Sequence, residues 1–181
     1  MTVKITVNDV YKIFGAHPDR AMEILRAGRG KDEILKKTKQ GVGIAGVSFD
    51  VHEGKILVVM GLSASGKSTL VRCINRLIEP TAGSIKVNDV KVTEPNAEEL
   101  RVFRQRHFGM VFQNFALFPH RTVLDNVEYG LEVRHVDTTT RRKASVKALE
   151  QVGLEGWGES YPAQLSGGMQ QRIGLARALA S

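Results

Sequence analysis

The chain has 181 residues, of which 42% are hydrophobic and 25% charged, and its formal net charge is +7. That length supports one globular domain with a core of its own, and the apolar run around residues 56–60 is far too short to span a membrane. The positive charge admits nucleic acid, an anionic membrane surface or a solvated helix face as partner. Aromatic residues are sparse and do not interleave with the basic group Arg134, Arg141, Arg142, Lys143 and Lys147. This argues against a stacking platform for single strands and favours a solvated face, with no nucleic-acid partner. The lone Cys73 excludes an internal disulfide and fits a reducing compartment. The opening Met-Thr-Val-Lys-Ile-Thr-Val alternates like a strand and not like a secretory signal, so a cytoplasmic location is expected.

In chain order, Val3, Ile5 and Val7 alternate with polar residues and predict a half-buried strand. The stretch from Val10 to Gly15 follows, carrying Tyr11 and Phe14. Residues 17–40 then change pattern into two short helical pieces, 21–26 and 32–37, joined by a glycine-containing connector. They read as an insertion between strands, because Val47, Phe49 and Val51 resume period-two alternation. Residues 55–60, Lys-Ile-Leu-Val-Val-Met, predict a strand buried on both faces. Beyond residue 69, Leu70, Ile74, Leu77 and Ile78 recur at helical spacing until Pro80 and Gly83 stop the pattern.

Between that strand and that helix lies Gly61-Leu-Ser-Ala-Ser-Gly-Lys-Ser-Thr69, which fits G-x-x-x-x-G-K-[ST] at Gly61, Gly66, Lys67 and Ser68. The strand–loop–helix setting is what such a loop needs to hold phosphate. Glycines let the backbone curl so that successive N–H groups, here those of Ser63, Ala64, Ser65, Gly66 and onward to Thr69, face an anion. The helix that follows turns its positive end toward the same point. Lys67 would reach the β/γ-phosphates, and Ser68 would hold Mg²⁺.

Further on, Ile85 and Val87 predict a short strand, and Asn96 with Glu99 fits a capping box opening a helix through about Arg106. Residues 107–112 read as a strand ending at Gln113. Thr122 caps a helix with Val123, Leu124 and Val127 on one side, and the three threonines 138–140 lead into another that Gly153 stops. Last comes Leu165-Ser-Gly-Gly-Met-Gln-Gln-Arg172, followed by Ile173, Ala176 and Leu179/Ala180 at helical spacing. There Ser166 can cap the helix while Gly167 and Gly168 leave backbone N–H groups open at its positive end.

Together, residues 61–69, Gln113 and residues 165–172 resemble the Walker A loop, Q-loop and signature of ABC transporter ATP-binding subunits. The whole chain is similar to the glycine betaine/L-proline importer ATPases. That closer likeness rests on residues 11–15, the insertion 17–40, Asn75-Arg-Leu-Ile-Glu-Pro80 and the segment 112–126. The resemblance implies an α/β fold, a P-loop NTPase core with an antiparallel β subdomain and a helical subdomain. Residues 1–113 would form the core and β subdomain, 114–168 the helical subdomain, and 169–181 the start of the return to the core. ATP and Mg²⁺ are the implied cofactors. Phe14 matches the aromatic that stacks on adenine, with Tyr11 as the other candidate and a plain core role open to both. Lys67 and Gln113 are the implied catalytic residues, Gln113 sensing Mg²⁺ and the attacking water. Ser166, Gly167 and Gly168 would contact the nucleotide of a second, head-to-tail copy. Phe115, Leu117 and Phe118 would receive a membrane permease subunit, pack the subdomain's own core, or do both. A substrate-binding protein would act indirectly, and the complex would lie on the inner face of the membrane.

Two departures matter. Met169 stands where the general signature has Gln, and a thioether is a poor hydrogen-bond partner, so any contact from it to nucleotide would be weaker. The family's strand ending in Asp-Glu and its switch His lie after the signature helix. Here the sequence closes at Ser181, with all five histidines before the signature and no Asp or Glu after Glu159. The expectation is a C-terminally incomplete cassette, inactive and marginally stable by itself. The competing readings are a non-transport ABC ATPase acting on nucleic acid or ribosomes and a nucleotide-binding fragment without hydrolysis.

Overall fold

The alternating apolar residues near the N-terminus build β1 (Val3–Phe14), which pairs antiparallel with β2 (Gly41–His52). Buried side chains recur along β1 at Val7, Val10 and Ile13, three residues apart and not two. The register with β2 shifts four times along the pair, and two of the shifts flank Val10. From Val7 to Val10 the strand advances three residues while its partner moves two, from Phe49 to Val47. From Val10 to Lys12 it advances two while β2 moves three, from Val47 to Ile44. Asp9 takes φ 48° in the first bulge and its amide donates to Ser48 Oγ at 2.8 Å; Gly46, φ 67°, sits in the second. Each bulge re-aims the side chains that follow it. The computed structural model describes residues 2–180. Its sheet runs β2-β1-β3-β4, antiparallel throughout, with β3 at Ala82–Val87 and β4 at Val90–Lys91.

The insertion between β1 and β2 forms α1 (Pro18–Arg26) and α2 (Lys31–Thr38). Pro18 opens the first helix, where its missing N–H costs nothing. Ala21, Met22 and Ile34 bury against Ile13, with Tyr11, Leu25 and Val42 packed around them. The insertion thereby fixes the end of the β1–β2 pair that carries Phe14.

Residues 55–60 depart from expectation. They form no strand, and Ile56 and Met60 are 93% and 85% exposed. A strand is held by backbone pairing to neighbours, and among the described residues the one sheet, all antiparallel, does not include this segment. The helix after the glycine loop, α3 (Lys67–Ile74), is also shorter than its apolar spacing suggests. Asn75 Oδ1 accepts from the Leu77 amide at 3.1 Å and Arg76 takes φ 54°, which turns the chain before Leu77. Asn96 does open α4 (Ala97–His107): its Oδ1 accepts from the amides of Glu98 and Glu99, and Glu99 Oε2 accepts from its N–H. The expected strand 107–112 is absent too. His107 stays helical, and the Phe108 ring stacks edge-on against Phe103 at 5.8 Å, which holds the chain at the helix end.

The chain divides into two compact units between Leu100 and Arg101, within α4. In the second, α5 (Val123–Val133), α6 (Thr138–Gln151) and α7 (Gly167–Ala180) pack around Val123, Val127, Leu149, Leu154, Ile173 and Ala176. Thr122 makes a full capping box with Asp125, and Asp137 caps α6. Buried Glu128 on α5 is held by Arg141 at 3.1 Å and Arg142 at 2.9 Å from α6. Among the described residues no helix is long and apolar enough to cross a membrane.

Candidate functional site: a glycine loop beside an exposed aromatic

The glycine loop curls on itself. The Ser65 amide donates to the Leu62 carbonyl at 3.2 Å, Ala64 takes φ 61°, and Gly66 takes φ 98° as the residue that opens α3. Gly66 must be glycine for a second reason: a Cβ there would collide with the backbone carbonyl of Gly43 on β2. At Gly61 a Cβ would stand 2.8 Å from Ser65 Oγ. Gly66 has no side chain with which to cap α3, so the first amides of the helix face outward without an internal partner. Lys67 folds over the same curl. Its Nζ donates to the carbonyls of Gly61 at 2.8 Å and Leu62 at 2.7 Å, and to Ser65 Oγ at 3.4 Å. A cationic head thus lies beside the uncapped start of a helix, which suits a polyphosphate.

A cavity of about 320 Å³ runs from this loop to β1 and β2. Ala64, Ser65, Gly66, Lys67, Ser68 and Thr69 line one end, and Phe14 with Gly41, Val42 and Gly43 line the other. The Phe14 ring is 44% exposed and lies against Gly43, where a Cβ would stand 2.7 Å from its Cε2. Lys12 Nζ is 5.2 Å from the same ring's centre. The arrangement fits a nucleotide: a flat exposed ring at one end, a phosphate-shaped loop at the other, and a hydroxyl, Ser68, able to meet a hard cation. Tyr11 does not line this cavity. It packs on the insertion under Arg26, and its hydrogen bond with Asp9 pushes its phenol above the usual range. Gly61 lines an adjoining hollow of about 350 Å³, and Ser63 is exposed at the loop tip.

Three further site candidates lie in the second unit. Gln113 is exposed in a turn closed by the Phe115 amide on the Phe112 carbonyl at 3.0 Å. Leu117 packs against the helical core, whereas Phe118 stands edge-on to Tyr129 at 4.7 Å beside a cavity of about 390 Å³. Asn126, fully buried, organises the segment: its Oδ1 accepts from the Phe118 amide at 2.7 Å, and its Nδ2 donates to the carbonyls of Phe118, Arg121 and Thr122. At the start of α7, Ser166 Oγ accepts from the Met169 amide at 3.3 Å. A Cβ built on Gly167 or Gly168 meets nothing within 4 Å, so both present open backbone. Gln170 Nε2 anchors the turn below through the carbonyls of Pro162 and Leu165. Met169 packs against the helical core, an apolar task that a thioether performs and that does not need a hydrogen bond.

Sequence reasoning missed Gly43, Asn126 and Arg177, whose two carbonyl contacts are described below. Gly43 had a visible signal in its Gly-Val-Gly setting; Asn126 and Arg177 had none, since an amide or guanidinium on a helix gives no sign of what lies opposite.

A family model described as "ABC transporter" matches residues 44–181. The chain is 54% identical over 177 residues to the glycine betaine transport ATP-binding protein OpuAA of Bacillus subtilis (strain 168), covering 98% of this chain and 42% of that protein. It is 49% identical over 180 residues to the glycine betaine/proline betaine transport system ATP-binding protein ProV of Escherichia coli (strain K12), covering 99% and 45%. The chain thus spans less than half the length of these relatives. A dimeric, post-hydrolysis structure of the ATP-binding cassette MJ0796 bound to ADP and Pi superposes with TM-score 0.80 at 31% identity, over 97% of this chain and 69% of that one. With its glycine loop, its Ser-Gly-Gly helix start and the fold of these cassettes, the chain belongs to the ABC transporter family.

Proposed function

We propose that this chain provides the ATP-binding half-sites of an importer ATPase for glycine betaine and proline-type compatible solutes. The observation that carries the reading is the cavity shared by Phe14 and the loop from Ala64 to Thr69, in a chain about half identical to two betaine-transport ATP-binding proteins. Adenine stacks on Phe14, and the loop amides with Lys67 bind the phosphates. Ser68 would hold Mg²⁺ with phosphate oxygens, Gln113 is the further ligand that the family resemblance implies, and the cation would supply charge neutralisation at the transferred phosphoryl group. The protein's own contribution is positioning and fixed positive potential at the phosphates.

The open Gly167–Gly168 backbone and the capping Ser166 suit the phosphates held by a second copy arranged head to tail. The Phe115, Leu117 and Phe118 segment suits a permease subunit, and in this reading the protein works in the cytoplasm on the inner face of the membrane, with a substrate-binding protein acting indirectly. In this reading residues 1–113 are the nucleotide-binding core and β subdomain, 114–168 the helical subdomain, and 169–181 the return toward the core. The test is uptake of labelled glycine betaine by cells carrying the full-length ATPase with its permease. Uptake that depends on the chain and disappears in Lys67→Ala is expected. Uptake unaffected by deleting the chain would refute the reading.

A further inference from the structure

Arg177 stands ten residues beyond the first residue of α7, and its guanidinium reaches the loop that follows Gln113. Nη1 donates to the Ala116 carbonyl and Nη2 to the Phe115 carbonyl, each at 2.8 Å. Those two residues are consecutive and both left-handed, Phe115 at φ 57° and Ala116 at φ 49°. Neither is glycine, and such conformations persist only where the surroundings over-determine them. The planar fork of an arginine matches two adjacent carbonyls, and the point charge of a lysine does not. Burial pushes the guanidinium below its ordinary value, and the two carbonyls are hydrogen-bond acceptors for it there. The helix runs beside this stretch at Gly174, where even a Cβ would make only ordinary contacts, 3.6 Å to Val111 Cγ1 and 3.8 Å to the Phe115 carbonyl.

We infer that Arg177 is a positioning residue that latches the loop after Gln113 to the helix of the Ser-Gly-Gly turn, so that both ends move as one body. The helix is continuous from Gly167 to Ala180, and ten residues of α-helix span about 15 Å. Its buried face, Ile173, Gly174 and Ala176, is locked in the core. A load applied by a permease at Phe118 therefore has, beside the Asn126 contacts to α5, a direct route to Gly167 through the guanidinium on Phe115 and Ala116 and along this helix. This inference rests on the importer reading above and adds the part that transmits the load.

The experiment compares wild type with Arg177→Lys, which keeps the charge and loses the fork, in the full-length ATPase reconstituted with its permease. Arg177→Lys is expected to melt near the wild-type temperature and to keep basal ATP hydrolysis and the KM for ATP, while stimulation of hydrolysis by solute falls about fivefold. An unchanged stimulation ratio overturns the latch. So does a parallel fall of basal and stimulated rates, or failure of Arg177→Lys to fold, since each is what a residue needed only for packing produces. A wild-type transporter without solute stimulation would refute the importer reading instead, and amide hydrogen exchange of the ATPase alone then decides the latch. Adding Mg²⁺-ATP should slow exchange in residues 114–118 and in the first turn of α7 together in wild type. In Arg177→Lys only one of the two segments should respond; a joint response in the variant overturns the inference.

Discussion

The backbone carbonyl of Gly43 occupies the place where a side chain on Gly66 would begin. A glycine of the phosphate loop and a glycine of β2 are thus in direct contact, and the loop keeps its curl because the strand lies under it. Gly66 also takes φ 98°, a conformation that costs an L-residue on the order of 1–3 kcal/mol. Gly66→Ala should therefore weaken nucleotide binding by roughly ten- to a hundredfold while the helical unit stays folded. Calorimetric titration with Mg²⁺-ATP checks this, and wild-type affinity in the variant would mean that the contact with Gly43 does not shape the loop.

The Phe14 ring and the Tyr11 ring separate two kinds of loss. Phe14 faces the cavity and Tyr11 faces the insertion. Phe14→Ala should cost about 1 kcal/mol of ATP affinity, the worth of one aromatic stacking contact, with little change in melting temperature. Tyr11→Ala should do the reverse. Fluorescence titration with an ATP analogue and a thermal melt on each variant give the ranking; a larger affinity loss in Tyr11→Ala would reject Phe14 as the platform.

Asn126 makes four hydrogen bonds from a fully buried side chain. Its removal leaves the Phe118 amide and three carbonyls without that partner. Asn126→Ala should destabilise the helical unit by about 2–4 kcal/mol, read as a lower denaturant midpoint. A loss below about 1 kcal/mol would show that the segment finds other partners on its own.

Ser166→Ala removes a helix cap, worth about 1 kcal/mol, and the hydroxyl proposed above to meet the nucleotide of a second copy. Single-copy ATP affinity should stay as in wild type, while ATP-driven dimerisation, followed by light scattering, weakens. Equal loss in both would place Ser166 in the chain's own nucleotide site.

How much of this was legible beforehand follows from how local each signal is. The glycine loop, the capping box at Asn96, the cap at Thr122, the insertion and the Ser-Gly-Gly helix start depend on residues within a few positions of one another, and all could be read from the sequence. Residues 55–60 could not, because a strand is a relationship with neighbours, and six apolar residues specify burial without specifying the partner. The early stop of α3 turned on Arg76, whose side chain donates to the distant carbonyls of Val92 and Pro95. The three-residue spacing of Val7, Val10 and Ile13 looked like two separate stretches until the paired bulges joined them into one strand. The Arg177 hydrogen bonds reach backbone 61 and 62 residues away, and those of Asn126 reach back to the turn before its own helix, which no periodicity reveals.

The central claim, that the cavity between Phe14 and the glycine loop takes ATP through Lys67, is tested most directly by Mg²⁺-ATP calorimetry on wild type and Lys67→Ala side by side. Lys67 Nζ donates to Gly61, Leu62 and Ser65 of its own exposed loop, so the variant should keep the wild-type melting temperature. Saturable one-site binding in wild type and none in the folded variant is the predicted result. Unchanged affinity in Lys67→Ala would contradict the account.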